Sequence, residues 1–100
     1  MIYLTQLVYV VPGKEKIFDE FENIAIPLIA KYNGQLLLRV RPQIDDFIEA
    51  NIDAPYEIHL VTFDNESDFG NFGRDEERKK FLHLKEESIR SVLLIRGNKV

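Results

Sequence analysis

Pro27-Leu28-Ile29-Ala30-Lys31-Tyr32-Asn33-Gly34-Gln35-Leu36-Leu37-Leu38-Arg39 joins two kinds of periodicity. On its upstream side, Ile17, Phe18, Phe21, Ile24, Ala25, Leu28, Ile29 and Tyr32 recur at helical spacing, while Lys14, Glu15, Asp19, Glu20, Glu22 and Lys31 fill the other face. That pattern predicts an amphipathic helix over 14–32. Pro27 has no N–H to offer the carbonyl of Asn23, so a kink or local break is expected there. Asn33-Gly34 supplies a left-handed cap. Gln35 to Arg41 then reads as a strand, with Leu36, Leu38 and Val40 on one face and Leu37, Arg39 and Arg41 on the other.

Upstream, Ile2 to Val11 is dense in β-branched and aromatic residues and ends at the breaker pair Pro12-Gly13, so it is a strand followed by a turn. Its apolar residues fall on both alternation faces, which requires cover on both. Downstream, Pro42 ends the second strand, and Gln43 to Ala54 carries Asp45, Asp46, Glu49 and Asp53 with no basic residue. This is an irregular acidic loop, with one helical turn expected around Asp46-Phe47-Ile48. Pro55 to Phe63 alternates as a third strand, Tyr56, Ile58, Leu60 and Thr62 against Glu57, His59, Val61 and Phe63. Asn65 caps a short helix bearing Phe69 and Phe72, interrupted at Gly70 and Gly73. The helix resumes near Arg74 or Asp75 and runs to Glu87, with Phe81 and Leu84 as its buried stripe and Asp75–Lys79 and Glu76–Lys80 as i,i+4 pairs. Ile89 to Arg96 is the last strand.

Strand, helix, strand, strand, helix, strand is the split βαβ, or ferredoxin-like, order, an α+β fold whose two helices lie on one face of a four-stranded antiparallel sheet. A single domain over 1–100 is expected. The helices cover one sheet face only, yet strand residues of both parities are apolar. An exposed patch beyond about 300–600 Å² is rare on a soluble monomer, so a symmetric homodimer, sheet against sheet in a dimeric α/β barrel, is the expected solution. The length agrees, because a chain of 100 residues buries only about 60–65% of its unfolded surface.

Composition removes several functions. With no cysteine, disulfides, thiolate metal sites and a catalytic cysteine are all excluded. The balance of 17 carboxylates to 13 Lys plus Arg gives net charge −4 and argues against nucleic acid. Met1-Ile2-Tyr3-Leu4-Thr5-Gln6-Leu7 has no basic region ahead of an apolar run, so neither a signal peptide nor a membrane segment is expected, and a cytoplasmic location is.

The side chains left to carry chemistry are arginine, histidine and tyrosine. Arg39 and Arg41 share one side of an otherwise apolar strand; they suit either bidentate binding of a carboxylate or phosphate or the guarding of a sheet edge. His59, between Ile58 and Leu60, is placed either as a general base or acid or as a hydrogen-bonded structural histidine. His83, between Leu82 and Leu84, reads as a solvated helix residue. Tyr9, Tyr32 and Tyr56, with Tyr3, either line a pocket for an aromatic ligand or pack. Two histidines without fixed spacing make no metal site, the acidic loop lacks the alternating oxygen ligands of a calcium loop, and Gly70-Asn71-Phe72-Gly73 lacks the strand and Lys-Ser/Thr ending of a phosphate loop. No cofactor or metal is expected.

The chain resembles the dimeric α+β barrel superfamily and, within it, the bacterial family called domain of unknown function 1330. Pro27 to Arg39 is similar to that family's proline, tyrosine-glycine-glycine and strand-arginine pattern, with Asn33 in place of the first glycine. Phe63 followed by the helix with Phe69 and Phe72 is similar to its aromatic helix stretch; Arg74-Asp75-Glu76-Glu77 stands where the family has serine-proline-glutamate-tyrosine. The resemblance implies a homodimer with a pocket between sheet and helices in each subunit. It also implies relatives among cofactor-free oxygenases, haem-degrading oxygenases and lactone isomerases; the haem-degrading kind pairs a helix histidine with a tryptophan, and this chain has none. The expected function is binding of a small anionic or aromatic organic molecule, anchored by Arg39 with His59 as polar or acid–base group. The alternatives are a cofactor-independent oxygenase or isomerase with His59 as base, and a non-catalytic association module.

Overall fold

The computed structural model describes Met1 to Val100. Its elements are β1 (Ile2–Val10), α1 (Glu15–Ile29), β2 (Gly34–Val40), β3 (Glu57–Phe63), α2 (Glu66–Gly73), α3 (Glu76–Lys80), α4 (Leu82–Ser88) and β4 (Ile89–Asn98). The strands form one antiparallel sheet in the order β2-β3-β1-β4. This is the ferredoxin-like arrangement that the element order implies.

The connection around Pro27 folds as a continuous α-helix rather than a broken one. Proline removes a single donor, and the orphaned carbonyl belongs to Asn23 on the exposed side, where water can serve it. The helix tightens into a 3₁₀ turn only at Ala30–Tyr32 and ends at Asn33, whose φ of 59° is the left-handed cap. Gly34 is needed for a different reason: a Cβ there would lie 2.6 Å from the side chains of both Ile29 and Phe63. The helix end can close onto β3 only over a bare backbone. In the acidic segment the one helical turn lies at Ile44–Asp46, earlier than the sequence suggests, because Gln43 and Asp46 close a capping box there.

The second helical region is three short helices. Asn65 caps α2 by accepting from the Asp68 N–H. Asp75 caps α3 by accepting from the Arg78 N–H at 2.9 Å, and also accepts from Tyr32 and Lys31. The expected Asp75–Lys79 pair is therefore replaced by a tie between α3 and the end of α1.

On the helix side of the sheet, Ile2, Leu4, Ile29, Val61 and Phe63 form a core against which Tyr32, Leu36, Phe69 and Phe72 pack. The Phe63 ring sits 5.4 Å from Phe69 and 5.5 Å from Phe72. One departure from simple alternation matters for the site. A bulge between Leu36 and Leu38 puts Leu36 opposite Val61, on the helix side, and Leu38 opposite Leu60, on the outer side. Leu36 therefore does not share a face with Leu38 and Val40 as even alternation predicts; it shares one with Arg39 and Arg41.

The outer side carries two rows across the four strands, Val40-Ile58-Leu7-Leu93 and Leu38-Leu60-Thr5-Ile95. At 36 × 35 × 16 Å the molecule is two layers thick, so nothing in the chain covers these rows. Leu38, Leu93 and Ile95 are each about half exposed.

Candidate functional site: a cavity between sheet and helices

Period-two alternation puts Glu57 and His59 on the same, helix-facing side of β3, and the β2 bulge brings Arg39 opposite His59. The four side chains converge. Glu57, completely buried, accepts from His59 Nε2 and, at 2.6 Å, from Arg41 Nε; Arg39 Nε lies 3.0 Å from its other oxygen. Burial alone pushes the Glu57 carboxyl up, but the hydrogen bonds from His59, Arg39 and Arg41 outweigh it and hold it at about 2. An ionised carboxylate only accepts, so His59 carries its proton on Nε2 and, when neutral, presents Nδ1 as a lone pair. Arg41 also pairs with Asp19 of α1 and lies over the Tyr56 ring, 4.8 Å from its centre, while Tyr56 meets Phe18 edge-on.

Beside this cluster, between sheet and helices, lies a cavity of about 520 Å³. Most of its wall is apolar, with Leu4 and Val8 of β1, Phe21 and Ala25 of α1, Val61 of β3 and Phe72 of α2 contributing. Five polar side chains also face it: Gln6, Glu22, His59, Arg78 and Lys85. Glu22 is buried on the apolar stripe of α1, not on its solvent face as the charge pattern suggests. Burial raises its pKa, aided by Glu57 and opposed by His59, Arg39 and Arg78. Arg78 lies between two aromatic faces, 5.7 Å from the Phe21 ring centre and 5.1 Å from that of Phe72, and its buried Nε meets no acceptor. Burial lowers the pKa of both Arg78 and Lys85.

Of the sequence candidates, then, His59 lines the cavity. Arg39 and Arg41 are placed on Glu57 behind it. Tyr32 donates to Asp75 and packs edge-on against Phe72, behind the cavity wall rather than in it. Tyr9 donates to the Asp53 carbonyl under the acidic loop, with Arg90 over its ring, and Tyr56 lies against Phe18; neither reaches the cavity. His83 is exposed. No three His, Asp or Glu side chains gather as a metal ion would require. Glu22, Arg78 and Lys85 escape sequence reading, although a signal existed for Glu22. It falls four residues after Phe18 and three before Ala25, inside the apolar stripe.

No family model and no curated protein matches the sequence. Solved structures do match in fold. A protein of unknown function from Rhodopseudomonas palustris superposes with a TM-score of 0.82 at 12% identity, covering 99% of this chain and 82% of its own. A dimeric ferredoxin-like protein of unknown function from Jannaschia matches at 0.71, with 14% identity and 98% of both chains covered. A DABB-family protein with a ferredoxin-like fold from Mesorhizobium loti gives 0.70 at 12% identity over 99% of this chain and 96% of its own. The class is thus established as a ferredoxin-like α+β protein, a fold that hosts many unrelated chemistries.

Proposed function

We propose that this chain acts as a cytoplasmic homodimer, paired through the outer sheet face, and binds a small anionic or aromatic organic molecule in the cavity of each subunit. The cavity carries the reading. Its volume falls within the roughly 300–1,000 Å³ typical of small-molecule sites, and its wall is apolar with a few converging polar groups. A purely associative module would fill this space with side chains, as interiors normally are. The bare outer rows and the dimeric Jannaschia neighbour support self-association. The Pro27–Arg39 pattern supports a distant kinship with the domain of unknown function 1330 family. In this reading Arg39 and Arg41 act on the ligand through Glu57 and His59, Tyr32 acts through Asp75, and Tyr9 and Tyr56 pack.

The test is calorimetric titration with naphthalene derivatives against the wild type and Ala25→Phe, which fills the cavity from α1. Binding lost in the variant, with its dimer intact, supports the proposal; equal binding in both overturns it.

A second reading, a cofactor-independent isomerase or oxygenase, draws on the His59–Glu57 pair. A histidine held by a buried carboxylate and presenting Nδ1 is placed to take a proton from a bound acid. Turnover of a lactone or quinol that disappears in His59→Gln supports it; turnover unchanged in that variant excludes His59 as the base.

A further inference from the structure

Around Glu57, Asp75 and Glu22 the charges fall into three groups, and two of them cancel internally. Glu57 and Asp19 answer Arg39 and Arg41, and Asp75 answers Lys31. The third group, Glu22, Arg78 and Lys85, lines the cavity with no ion pair or side-chain hydrogen bond among its members. Arg78 forms only a long 3.4 Å bond from Nη1 to the Gly73 carbonyl, and its Nε has no partner. A buried donor without an acceptor is costly and marks a place where an acceptor belongs. The aromatic faces of Phe21 and Phe72 fix the guanidinium plane, so little freedom is lost when an acceptor arrives. Two cations thus face the cavity against one carboxyl, and neither is paired with it.

Resting on the cavity reading above, we infer that the ligand is a monoanion with an apolar body, its carboxylate held by Arg78 and Lys85 and its body against Phe21, Ala25, Val61 and Phe72. Glu22 is the built-in competitor. It faces His59 and Glu57 from β3, Arg39 from β2, Arg78 from α3 and Lys85 from α4. When the ligand anion takes its counter-charges, Glu22, already pushed up by burial, takes a proton from solvent. Binding is then coupled to proton uptake and weakens as the pH rises.

The experiment compares 1-naphthoate with the neutral 1-naphthamide, titrated calorimetrically into the intact protein and its Arg78→Gln, Lys85→Met and Glu22→Gln variants. The carboxylate should bind about 10- to 100-fold tighter than the amide. Either cation variant should erase that preference while amide binding persists, which shows that the variant is folded. Glu22→Gln should bind the carboxylate more tightly and lose the proton uptake, read by repeating the titration in buffers of different ionisation enthalpy. Equal affinities for carboxylate and amide would overturn the anionic assignment and leave the cavity reading standing. Failure of both compounds to bind would overturn the two together.

Discussion

Replacing Glu57 by Gln and following both proteins into acid isolates the charge cluster that positions His59. An ordinary glutamate titrates near 4.5; in the folded chain Glu57 is held at about 2. Because the folded value is the lower one, the stabilisation is complete above about pH 4.5 and is lost as the pH falls towards 2. At about 1.4 kcal/mol per tenfold change in proton affinity, the full effect is about 3 kcal/mol. Gln keeps the side-chain volume and one acceptor oxygen but leaves two guanidinium groups without their buried counter-charge. Removing one partner of such a cluster costs about 3–5 kcal/mol, and the lower end applies because side chains 30% and 42% exposed, Arg39 and Arg41, can turn to water. Urea unfolding followed by circular dichroism at one protein concentration measures both proteins on the same footing. The expected gap between them is about 3 kcal/mol at neutral pH and closes by about pH 2. Asp75, also held below the usual carboxylate range, chiefly by its hydrogen bond from Tyr32, has different partners and cancels in the difference. A gap that stays constant through this range would refute the charged state of Glu57 and, with it, the assignment of the His59 proton to Nε2.

Further outcomes follow from other contacts. Tyr32→Phe removes the hydroxyl that donates to the buried Asp75 carboxylate and should cost about 1.5–3 kcal/mol in urea unfolding. Gly34→Ala drives a methyl into Ile29 and Phe63 and should cost about 1–3 kcal/mol, seen as a lower Tm. Leu7→Lys puts a charge at the centre of the outer apolar rows and should convert a dimer to a monomer in sedimentation velocity. Glu22→Gln should stabilise the fold at neutral pH. The raised carboxyl of Glu22 favours folding only while protonated, so the gain should appear as the pH rises through its folded pKa and vanish below about pH 4.5.

The element order was legible because each transition is marked by residues with one physical meaning: Pro12-Gly13, Asn33-Gly34, Pro42 and Asn65. The need for cover on both sheet faces was legible for the same reason, since it requires only that both parities be apolar. The β2 register was not. Leu36-Leu37-Leu38 is uniformly apolar, so an extra residue inserted there changes no hydrophobic pattern, and alternation cannot register the bulge. That slip decides where Leu36 goes relative to Arg39, and it brings the two arginines across from His59 and Glu57. The Glu57 cluster had a faint signal in Glu57-Ile58-His59 and Arg39-Val40-Arg41, two strands each with charged or titratable groups two residues apart. Recognising it required knowing that these strands are neighbours in register.

Arg78 and Lys85 were hidden by a different effect. In sequence they stand among Glu76, Glu77, Lys79, Lys80, Glu86 and Glu87, a mixed-charge run that reads as solvated surface. What singles them out is the break of the helical region into three pieces. Asp75, tied to Tyr32 and Lys31, anchors the start of α3 against the end of α1, and this placement carries Arg78 inward between Phe21 and Phe72. The same tie that looks like a helix cap is therefore also the device that points a cation into the cavity. Because the strand arginines are already neutralised by Glu57 and Asp19, the helix-borne pair is the part of the interior whose charge is left for a ligand to answer.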